Sequence, residues 1–518
     1  MAQAGGGLAL AFIAGFIALA LAPLLRFGGE FSIDRQVLST LRFTLYQASL
    51  STLISLVFGA ALALSLARRP NLPGRIWIIR LMAAPMGLPA LAGAFGVLAV
   101  WGRQGWVNDI LGASGTDLQF NVYGLSGILI AHSFFNIPLA ARLFYASLER
   151  LPSQYWLMAA HLGLGRVSLL RFVEWPALRR ALPGAGGLVF MLCATSFTLV
   201  LTLGGGPAAT TLEVAIYQAL KFDFEPVRAV FLVGLQMLLA GAVLAFLKLF
   251  GAAEEEKNES GLLRRFDGQS ALARTWDFLV IAGLIAFCGA PFAAIATSGL
   301  VASYPHLVTD PLFWRALATS FMLGPIAAVT AVILAYGLAI AHYGSASRVW
   351  KGALEAAGSL ILLTPPVVLA TGWFLWLKGG SGYGPYVLVA LINALMSLPF
   401  AFHVLQPAIR THFERTGRLS ESLGIKGFER LRIVDFAILK RPLTTAFFFA
   451  LSLSLGDLGA VALFGGDNLV TLPWLIYARL GSYRTSDAAA LTLLLTLICM
   501  IFAVLGTRDS GTREGSIR

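Results

Sequence analysis

YWLMAAHLGLGRVSLLRFVEWPALRRALP, residues Tyr155–Pro183, is a basic amphipathic segment between two long apolar runs. Nearly the same pattern returns as RLSESLGIKGFERLRIVDFAILKRPL, residues Arg418–Leu443. The two copies align without a gap, and Gly163 and Gly424 stand 424 − 163 = 261 residues apart. A polar segment repeated at this distance indicates an internal duplication, and we interpret each copy as a docking surface.

The composition is that of a membrane protein. The chain has 518 residues, of which 58% are hydrophobic and only 12% charged, and its mean hydropathy is +0.78. These values indicate a polytopic membrane protein. The net charge of +12 is spread over loops between apolar runs, so it reports topology and predicts no nucleic-acid partner. Cys193, Cys288 and Cys499 lie singly in apolar runs, which favours neither a disulfide nor a metal site.

Apolar runs of about 20 residues, long enough to cross a bilayer as helices, occur twelve times. They lie near 8–25, 43–67, 78–101, 124–147, 184–205 and 228–250, and near 277–299, 313–342, 353–377, 384–408, 443–465 and 485–506. The first run lacks the basic start and cleavage site of a signal peptide, so we expect a retained helix. Most of the 38 Lys and Arg residues lie in the even-numbered connections and the tail. Those connections and both termini are therefore predicted to be cytoplasmic.

The predicted fold class is an all-α polytopic membrane protein with two six-helix repeats. Residues 1–250 form the first repeat, with its loop near 151–183, and residues 276–518 form the second, with its loop near 410–443. The polar residues 251–275 form a solvated linker between them. Because each half contributes six spans and both loops fall on one side, the halves are predicted to be related by an axis along the membrane normal.

Motifs of enzyme chemistry are missing from the chain. It has no GxxxxGK[ST] loop, no HExxH, no Cys/His cluster and no nucleophile elbow. We therefore expect no catalytic residue and no metal ligand. The energy for any transport must come from an ion gradient or from another polypeptide.

Few charged side chains lie inside the apolar runs. Asp457 is the clearest, and Ser196 occupies the matching position in the first half. Asp457 is predicted either to attract cations on a translocation pathway or to act as a hinge residue satisfied by local donors. His132 and Asn393 also match between the halves, and either line the pathway or make interhelical hydrogen bonds.

The repeated segments resemble the cytoplasmic EAA loop of ATP-binding-cassette (ABC) importer permeases. In that loop a Gly is followed after nine residues by Ile and then, one residue further, by Leu-Pro. Gly163 is followed at this spacing by Val173, and Gly424 by Val434. The leading Glu of the family is replaced by Leu157 and by Arg418. The resemblance implies that an ATPase docks at Gly163, Arg171, Val173, Trp175, Pro176, Gly424, Arg432, Val434 and Phe436.

The whole chain resembles the fused permeases of bacterial thiamine and thiamine-pyrophosphate importers, which have the type I importer architecture. The stretches that carry this resemblance are WGRQGW (Trp101–Trp106), YGLSGILIAHSFFNIPLAARL (Tyr123–Leu143), RFVEWPALRR (Arg171–Arg180), LTLGGGPAATTLEVAIYQAL (Leu201–Leu220), SLGIKGFERLRIVDFAILKRPL (Ser422–Leu443) and GDLGAVALFGGDNLVTLP (Gly456–Pro473). The resemblance implies an inner-membrane location, a cytoplasmic ATPase homodimer that binds the ATP, a periplasmic binding protein, and no cofactor in this chain. A ferric-iron permease of the same fused plan and a gradient-driven secondary transporter remain alternatives.

Each loop is predicted to fold as two short helices joined at glycine. In the first copy the joint is Gly163-Leu164-Gly165, because glycine permits a sharp turn. An apolar stripe with arginines around it fits a protein groove, although such a helix can also lie on anionic lipid. The stripe consists of Leu157, Leu162, Val167, Leu170 and Val173, and the arginines are Arg166, Arg171, Arg179 and Arg180. On the external side Trp101, Trp106, Phe222 and Tyr483 are candidates for cation–π contact with substrate, or for interfacial anchoring.

Overall fold

Helices make up every regular element in the part of the chain that the structure describes. The computed structural model describes residues 2–26, 34–115, 117–250, 270–345, 347–361, 364–377, 384–422 and 434–508. The first half contains α1 (Ala2–Arg26), α2 (Arg35–Arg68), α3 (Arg75–Ala83), α4 (Ala90–Trp101), α5 (Trp106–Ala113), α6 (Leu125–Glu149), α7 (Ser153–His161), α8 (Arg166–Leu169), α9 (Trp175–Ala194), α10 (Thr198–Leu203), α11 (Leu212–Lys221) and α12 (Pro226–Phe250). The second contains α13 (Ala271–Leu300), α14 (Tyr304–Thr309), α15 (Pro311–Gly344), α16 (Arg348–Leu360), α17 (Pro366–Leu377), α18 (Gly384–Ser422), α19 (Phe436–Gly456), α20 (Gly459–Phe464), α21 (Leu472–Gly481) and α22 (Thr485–Arg508).

Ten helical segments in the described residues are long and apolar enough to cross a membrane, and one bent pair would make eleven. These ten segments overlap ten of the twelve predicted spans. The prediction of an all-α, multi-pass chain is therefore confirmed.

The third and ninth predicted spans, 78–101 and 353–377, are broken where the sequence predicts single helices. Arg75–Gly87 and Ala90–Ala113 meet at a bend of 110°. Similarly, α16 ends at Leu360 and α17 begins only at Pro366. A proline stands at each break, Pro89 and Pro365, where it removes an N–H and restricts the residue before it. A hydropathy window detects neither effect.

The two halves differ in length at one place. Asp34 and Asp310 cap α2 and α15 by accepting hydrogen bonds from Val37 N at 2.6 Å and Leu312 N at 2.9 Å. These caps are 310 − 34 = 276 residues apart, whereas the loops are 261 residues apart. The first half thus holds 15 extra residues between α4 and α6, the connection that contains α5. Matched positions are therefore 276 residues apart before this insertion and 261 after it, and 471 − 211 = 260 residues apart from Thr211 onward, where the second half is one residue shorter.

The first helix of each half lies against the other half. α1 contacts α15, α16 and α17, whereas α13 contacts α2, α3 and α4. Equivalent glycines, Gly372 and Gly96, allow α1 and α13 to pack closely against the other half. A Cβ on Gly372 would overlap the Ala20 carbonyl oxygen of α1. A Cβ on Gly96 would come within 2.9 Å of Pro291 Cβ in α13. This exchange of first helices ties the halves together.

The two exchanged helices are held differently. Asp277 of α13 is 1% exposed and pairs with Arg68 Nη2 at 2.7 Å and with Arg69 Nε at 3.0 Å. At the corresponding end of α1, the backbone of Gly6 lies so close to α15 that an added Cβ would overlap Ala341 Cβ. One crossing is therefore made by charge and the other by small residues.

The predicted linker, 251–275, is shorter than expected. α13 already begins at Ala271, with Ser270 accepting a hydrogen bond from Ala273 N at 3.3 Å as its N-cap. Residues 251–269 lie outside the described residues, as does part of the second loop, 423–433.

Candidate functional site

The first loop contains a glycine turn between α7 and α8. Gly163 has φ of +61°, in the left-handed region that favours glycine. Leu164 N donates to Ala159 O at 3.0 Å, and Gly163 N donates to Ala160 O at 3.1 Å. These two bonds form a Schellman motif, which satisfies the carbonyls at the end of α7. The predicted turn is therefore present at Gly163, whereas Gly165 has φ of −69° and precedes α8 as its N-cap.

A small hydrophobic core of its own stabilises this loop. Trp156, Ala159 and Leu169 are buried together, and the half-buried Leu151, Leu164 and Val173 pack against them. The contact of Leu164 with this cluster is the apolar contact that commonly accompanies a Schellman motif. Val173 thus faces the interior of the loop, which corrects its predicted place in the exposed stripe.

The opposite face of the loop is apolar and exposed. Leu162 and Val167 are 71% and 78% exposed, and large exposed apolar side chains of this kind suit an interaction site. Arg171 lies beside it, with its guanidinium carbon 5.6 Å from the centre of the Phe172 ring. We define the loop surface as the exposed apolar residues Tyr155, Leu157, Met158, Leu162, Val167, Leu170, Phe172 and Trp175. Pro176 is half-buried at its edge, and Arg179 and Arg180 are exposed nearby.

The helix that precedes the second loop is longer than the one that precedes the first. α6 ends at Glu149 before Pro152, but α18 continues to Ser422 because Phe413 stands at the place of Pro152. Gly424 and Arg432 lie outside the described residues, while Val434 is half-buried and Phe436 is exposed. Just inside, His412 Nε2 lies 2.8 Å from Asp435 Oδ1, and both side chains are buried. The matching residue in the first loop, Glu174, is also buried.

Asp457 lies at the break between α19 and α20. Its two carboxylate oxygens accept hydrogen bonds from Gly459 N and Ala460 N, both at 3.3 Å. Local donors therefore satisfy this carboxylate, as a hinge residue would require. The same side chain borders a small cavity together with Asn393, Ser454, Thr471, Pro473 and six further residues, Ser320, Leu323, Gly324, Val389, Leu455 and Val461.

His132 and Asn393 both make interhelical hydrogen bonds. His132 Nδ1 lies 3.0 Å from Ser51 Oγ, which joins α6 to α2. Asn393 Nδ2 donates to Ser454 Oγ at 3.2 Å, which joins α18 to α19. His132 Nε2 and Asn393 Oδ1 are buried without a hydrogen-bond partner among the described residues.

Glu213, in the first turn of α11, is a buried acid that the sequence analysis did not single out. Its side chain is 0% exposed, and Oε1 accepts a hydrogen bond from Gln236 Nε2 at 3.1 Å. Oε2 has no hydrogen-bond partner among the described residues. The available signal was that Glu213 is the only charged residue in Thr210–Leu220, TTLEVAIYQAL.

The external aromatic candidates lie at the end of the bundle opposite the first loop. Phe222 and Tyr483 are exposed, whereas Trp101 and Trp106 are half-buried. The Trp101 ring lies 5.6 Å from the Phe287 ring of α13. Nearby, Lys221 Nζ donates to the carbonyls of Leu463 at 3.2 Å and Gly465 at 3.1 Å. Lys221 thereby joins α11 to the end of α20 in the other half.

The helical architecture, the duplicated halves and the loop define the class as a multi-pass permease of the ABC-importer type. The chain is 44% identical over 521 residues to the thiamine transport system permease protein ThiP of Brucella abortus, with 98% of this chain and 95% of that protein covered. It is 41% identical over 481 residues to ThiP of Escherichia coli, with 91% and 89% covered. The chain therefore belongs to the family of thiamine transport system permeases.

A more distant similarity covers a smaller part of the chain. The sulfate transport system permease protein CysT of Salmonella typhimurium is 28% identical over 201 residues, with 38% of this chain and 70% of that protein covered. No protein-family model matches the chain.

Proposed function

We propose that this chain is the permease subunit of an ABC importer that carries thiamine, and its phosphates, across the inner membrane into the cytoplasm. The observation that carries the proposal is the similarity to thiamine transport permeases over nearly the whole chain. Both termini and both loops face the cytoplasm, as the distribution of Lys and Arg predicts. Two ATPase subunits bind the ATP, so the permease itself needs no cofactor.

The first loop is built to transmit force from an ATPase. Its own core makes it a rigid unit, and the loop surface offers apolar side chains to a groove of the partner. Ser147 Oγ of α6 donates to the Ala177 carbonyl of α9 at 3.0 Å, so a push on the loop reaches two membrane helices. ATPase states that contact the loop differently would then shift the two halves between conformations.

A periplasmic binding protein would dock at the opposite end. Phe224 and Tyr483 are 80% and 91% exposed there, with φ of +55° and +59°. They occupy equivalent connections, between α11 and α12 and between α21 and α22. Non-glycine residues rarely adopt this conformation, and such strain concentrates at functional positions. We assign these two aromatic tips to contact with the binding protein.

The test is reconstitution of the permease with its ATPase and binding protein in proteoliposomes. We expect thiamine uptake that requires ATP and persists in the presence of a protonophore. We expect no uptake of ferric iron. Uptake that stops with the protonophore at constant ATP would instead establish a gradient-driven carrier. Failure of the complete wild-type complex to take up thiamine would refute the proposed substrate.

A paired substitution tests the loop surface. Leu162→Glu with Val167→Glu should abolish co-purification of the ATPase, because both positions change from apolar to charged at the proposed contact. Val301→Glu is the matched control, since Val301 is 88% exposed directly after the C-terminal end of α13, outside the loop surface. Normal co-purification of the loop variant would contradict the assigned contact.

A further inference from the structure

Each half holds one carboxyl group at an equivalent place between helices, but the two acids come from different positions in the chain. In the second half Asp457 borders the cavity, and Pro473 lies on its wall. In the first half Ser196 stands at the position of Asp457, and Glu213 stands at that of Pro473. A comparison of matched positions alone therefore misses that each half carries one acid at this place.

Matching hydrogen bonds show that the two acids lie at equivalent places in the two halves. Leu212 N, at the start of α11, donates to Thr44 Oγ1 of α2 at 3.0 Å. Leu472 N, at the start of α21, donates to Ser320 Oγ of α15 at 2.9 Å. Thr44 and Ser320 are 320 − 44 = 276 residues apart, the offset of this part of the halves. Glu213 therefore lies beside the contact of α11 with α2, and Asp457 lies beside the equivalent contact of α21 with α15.

Hydrogen bonds also gather the first-half residues around Glu213. Gln47 Nε2 donates to the Cys193 carbonyl at 3.0 Å, and Gln236 Nε2 lies 3.4 Å from the Ala194 carbonyl. Gln47, Cys193 and Ala194 correspond to Leu323, Ser454 and Leu455, which line the cavity of the second half.

Several polar atoms at and near Glu213 have no hydrogen-bond partner among the described residues. Glu213 Oε2, Gln47 Oε1, Gln236 Oε1 and Thr211 Oγ1 are buried without hydrogen bonds among the described residues. Leaving such groups unsatisfied inside a protein is costly. Three of the four atoms are acceptors only, so a positively charged or hydrogen-donating ligand would satisfy them.

The helices that carry the two acids lie at the interface between the halves. α11, which carries Glu213, contacts α17 and α20 of the second half, and the equivalent α21 contacts α4 of the first. Next to Asp457, a Cβ on Gly456 would lie 3.0 Å from Pro89 Cβ of the first half. A substrate that passes between the halves would therefore pass both of the helices that carry the acids.

We propose that Glu213 and Asp457 form a pair of counter-charges that selects for a cationic substrate, the thiazolium ring of thiamine, as it crosses the interface. This inference rests on the proposed function. A fixed cation inside a membrane protein needs a nearby opposite charge, and one carboxyl on each half stays available as the halves move.

Thiamine uptake by the reconstituted importer tests the pair with Glu213→Gln and Asp457→Asn. Each single variant should lower the uptake rate about tenfold, equal to about 1.4 kcal/mol, and the double variant should lower it further. Uptake of a neutral analogue, with carbon in place of the thiazolium nitrogen, should be the same in wild type and variants. Melting temperature and ATPase co-purification verify that the variants fold.

Relocating the acid separates a charge role from a structural role. Glu213→Gln with Ser196→Asp places the first-half acid where the second half has it, and Asp457→Ser with Pro473→Glu makes the reverse exchange. Recovery of thiamine uptake in either relocated variant would support the counter-charge. Folded single variants with wild-type uptake, or relocated variants that fold without recovery, would overturn it. Absence of thiamine uptake in the wild-type complex would instead refute the proposed function.

Discussion

The two exchanged first helices reach equivalent places by different physical means. α13 is held on the first half by Asp277, which meets both Arg68 and Arg69. α1 is held on the second half by close backbone approach, with Gly6 against Ala341. The duplicated fold thus determines where each helix crosses, but the side chains that hold each crossing have diverged.

These two solutions respond differently to substitution. A buried carboxylate that joins two guanidinium groups fixes one register, and removal of one partner leaves buried charge uncompensated. Small residues permit close packing of helices in a membrane without a polar requirement. We therefore expect the charged crossing to fail more severely than the small-residue crossing.

The largest effect is expected for Asp277→Asn. The amide keeps the shape but leaves Arg68 buried beside a neutral group, which should cost about 3–5 kcal/mol. Thermal unfolding of the detergent-solubilised protein measures this loss. Asp277→Leu combined with Arg68→Leu and Arg69→Leu should recover much of it, because replacement of a whole group of buried ion-paired residues by apolar residues is often tolerated. Unchanged unfolding of Asp277→Asn would show that the pair does not hold the crossing.

The helices that lead into the two loops, α6 and α18, allow a second comparison. Phe413→Pro should break α18 where α6 already ends, at a cost of about 3 kcal/mol for proline inside a helix. It also removes the ring contact of Phe413 with Tyr343, whose centres are 5.2 Å apart. The reciprocal Pro152→Phe lies between two helices and should cost less. Equal melting temperatures for the two variants would contradict this difference between the halves.

Sequence patterns predicted much of the fold but not these pairings. Ten apolar runs correspond to helical segments in the described residues, because spanning a bilayer demands length and apolarity alone. The breaks at Pro89 and Pro365 were missed, because a hydropathy average does not take account of the backbone N–H donor that proline lacks. The exchange of α1 and α13 was also missed, because an apolar helix face does not indicate which other helix packs against it.

The candidate site was predictable where local backbone chemistry decides it. Gly163 was identified as a turn, since only the conformational freedom of glycine suits that position. Val173 was assigned to the wrong face, because a helical stripe does not predict the small core beneath the loop. Glu213 escaped notice because its counterpart, Pro473, is not an acid. Only the spatial arrangement of α2, α9, α11 and α12 reveals its relation to Asp457.

A third prediction returns to the exchanged helices. Gly372→Ala places a methyl group against the Ala20 carbonyl of α1, and overpacking of this kind costs about 1–3 kcal/mol. Gly96→Ala is the matched substitution at the crossing of α13, where the nearest atom is 2.9 Å away and a smaller shift suffices. Thermal unfolding of both variants should therefore show the larger loss for Gly372→Ala. The opposite order would mean that the α1 crossing is the more adaptable one.

The smallest effect concerns the first loop, whose separate core has no continuous helix leading into it. Gly163→Ala forces a Cβ into the left-handed region and should cost about 1 kcal/mol, although open space surrounds the position. The strain should loosen the turn and weaken co-purification of the ATPase more than it lowers the melting temperature of the whole chain. Gly184→Ala is the control, because Gly184 lies inside α9, also with open space around it, and alanine favours a helix. Equal ATPase retention by the two variants would show that the positive φ at Gly163 does not position the loop surface.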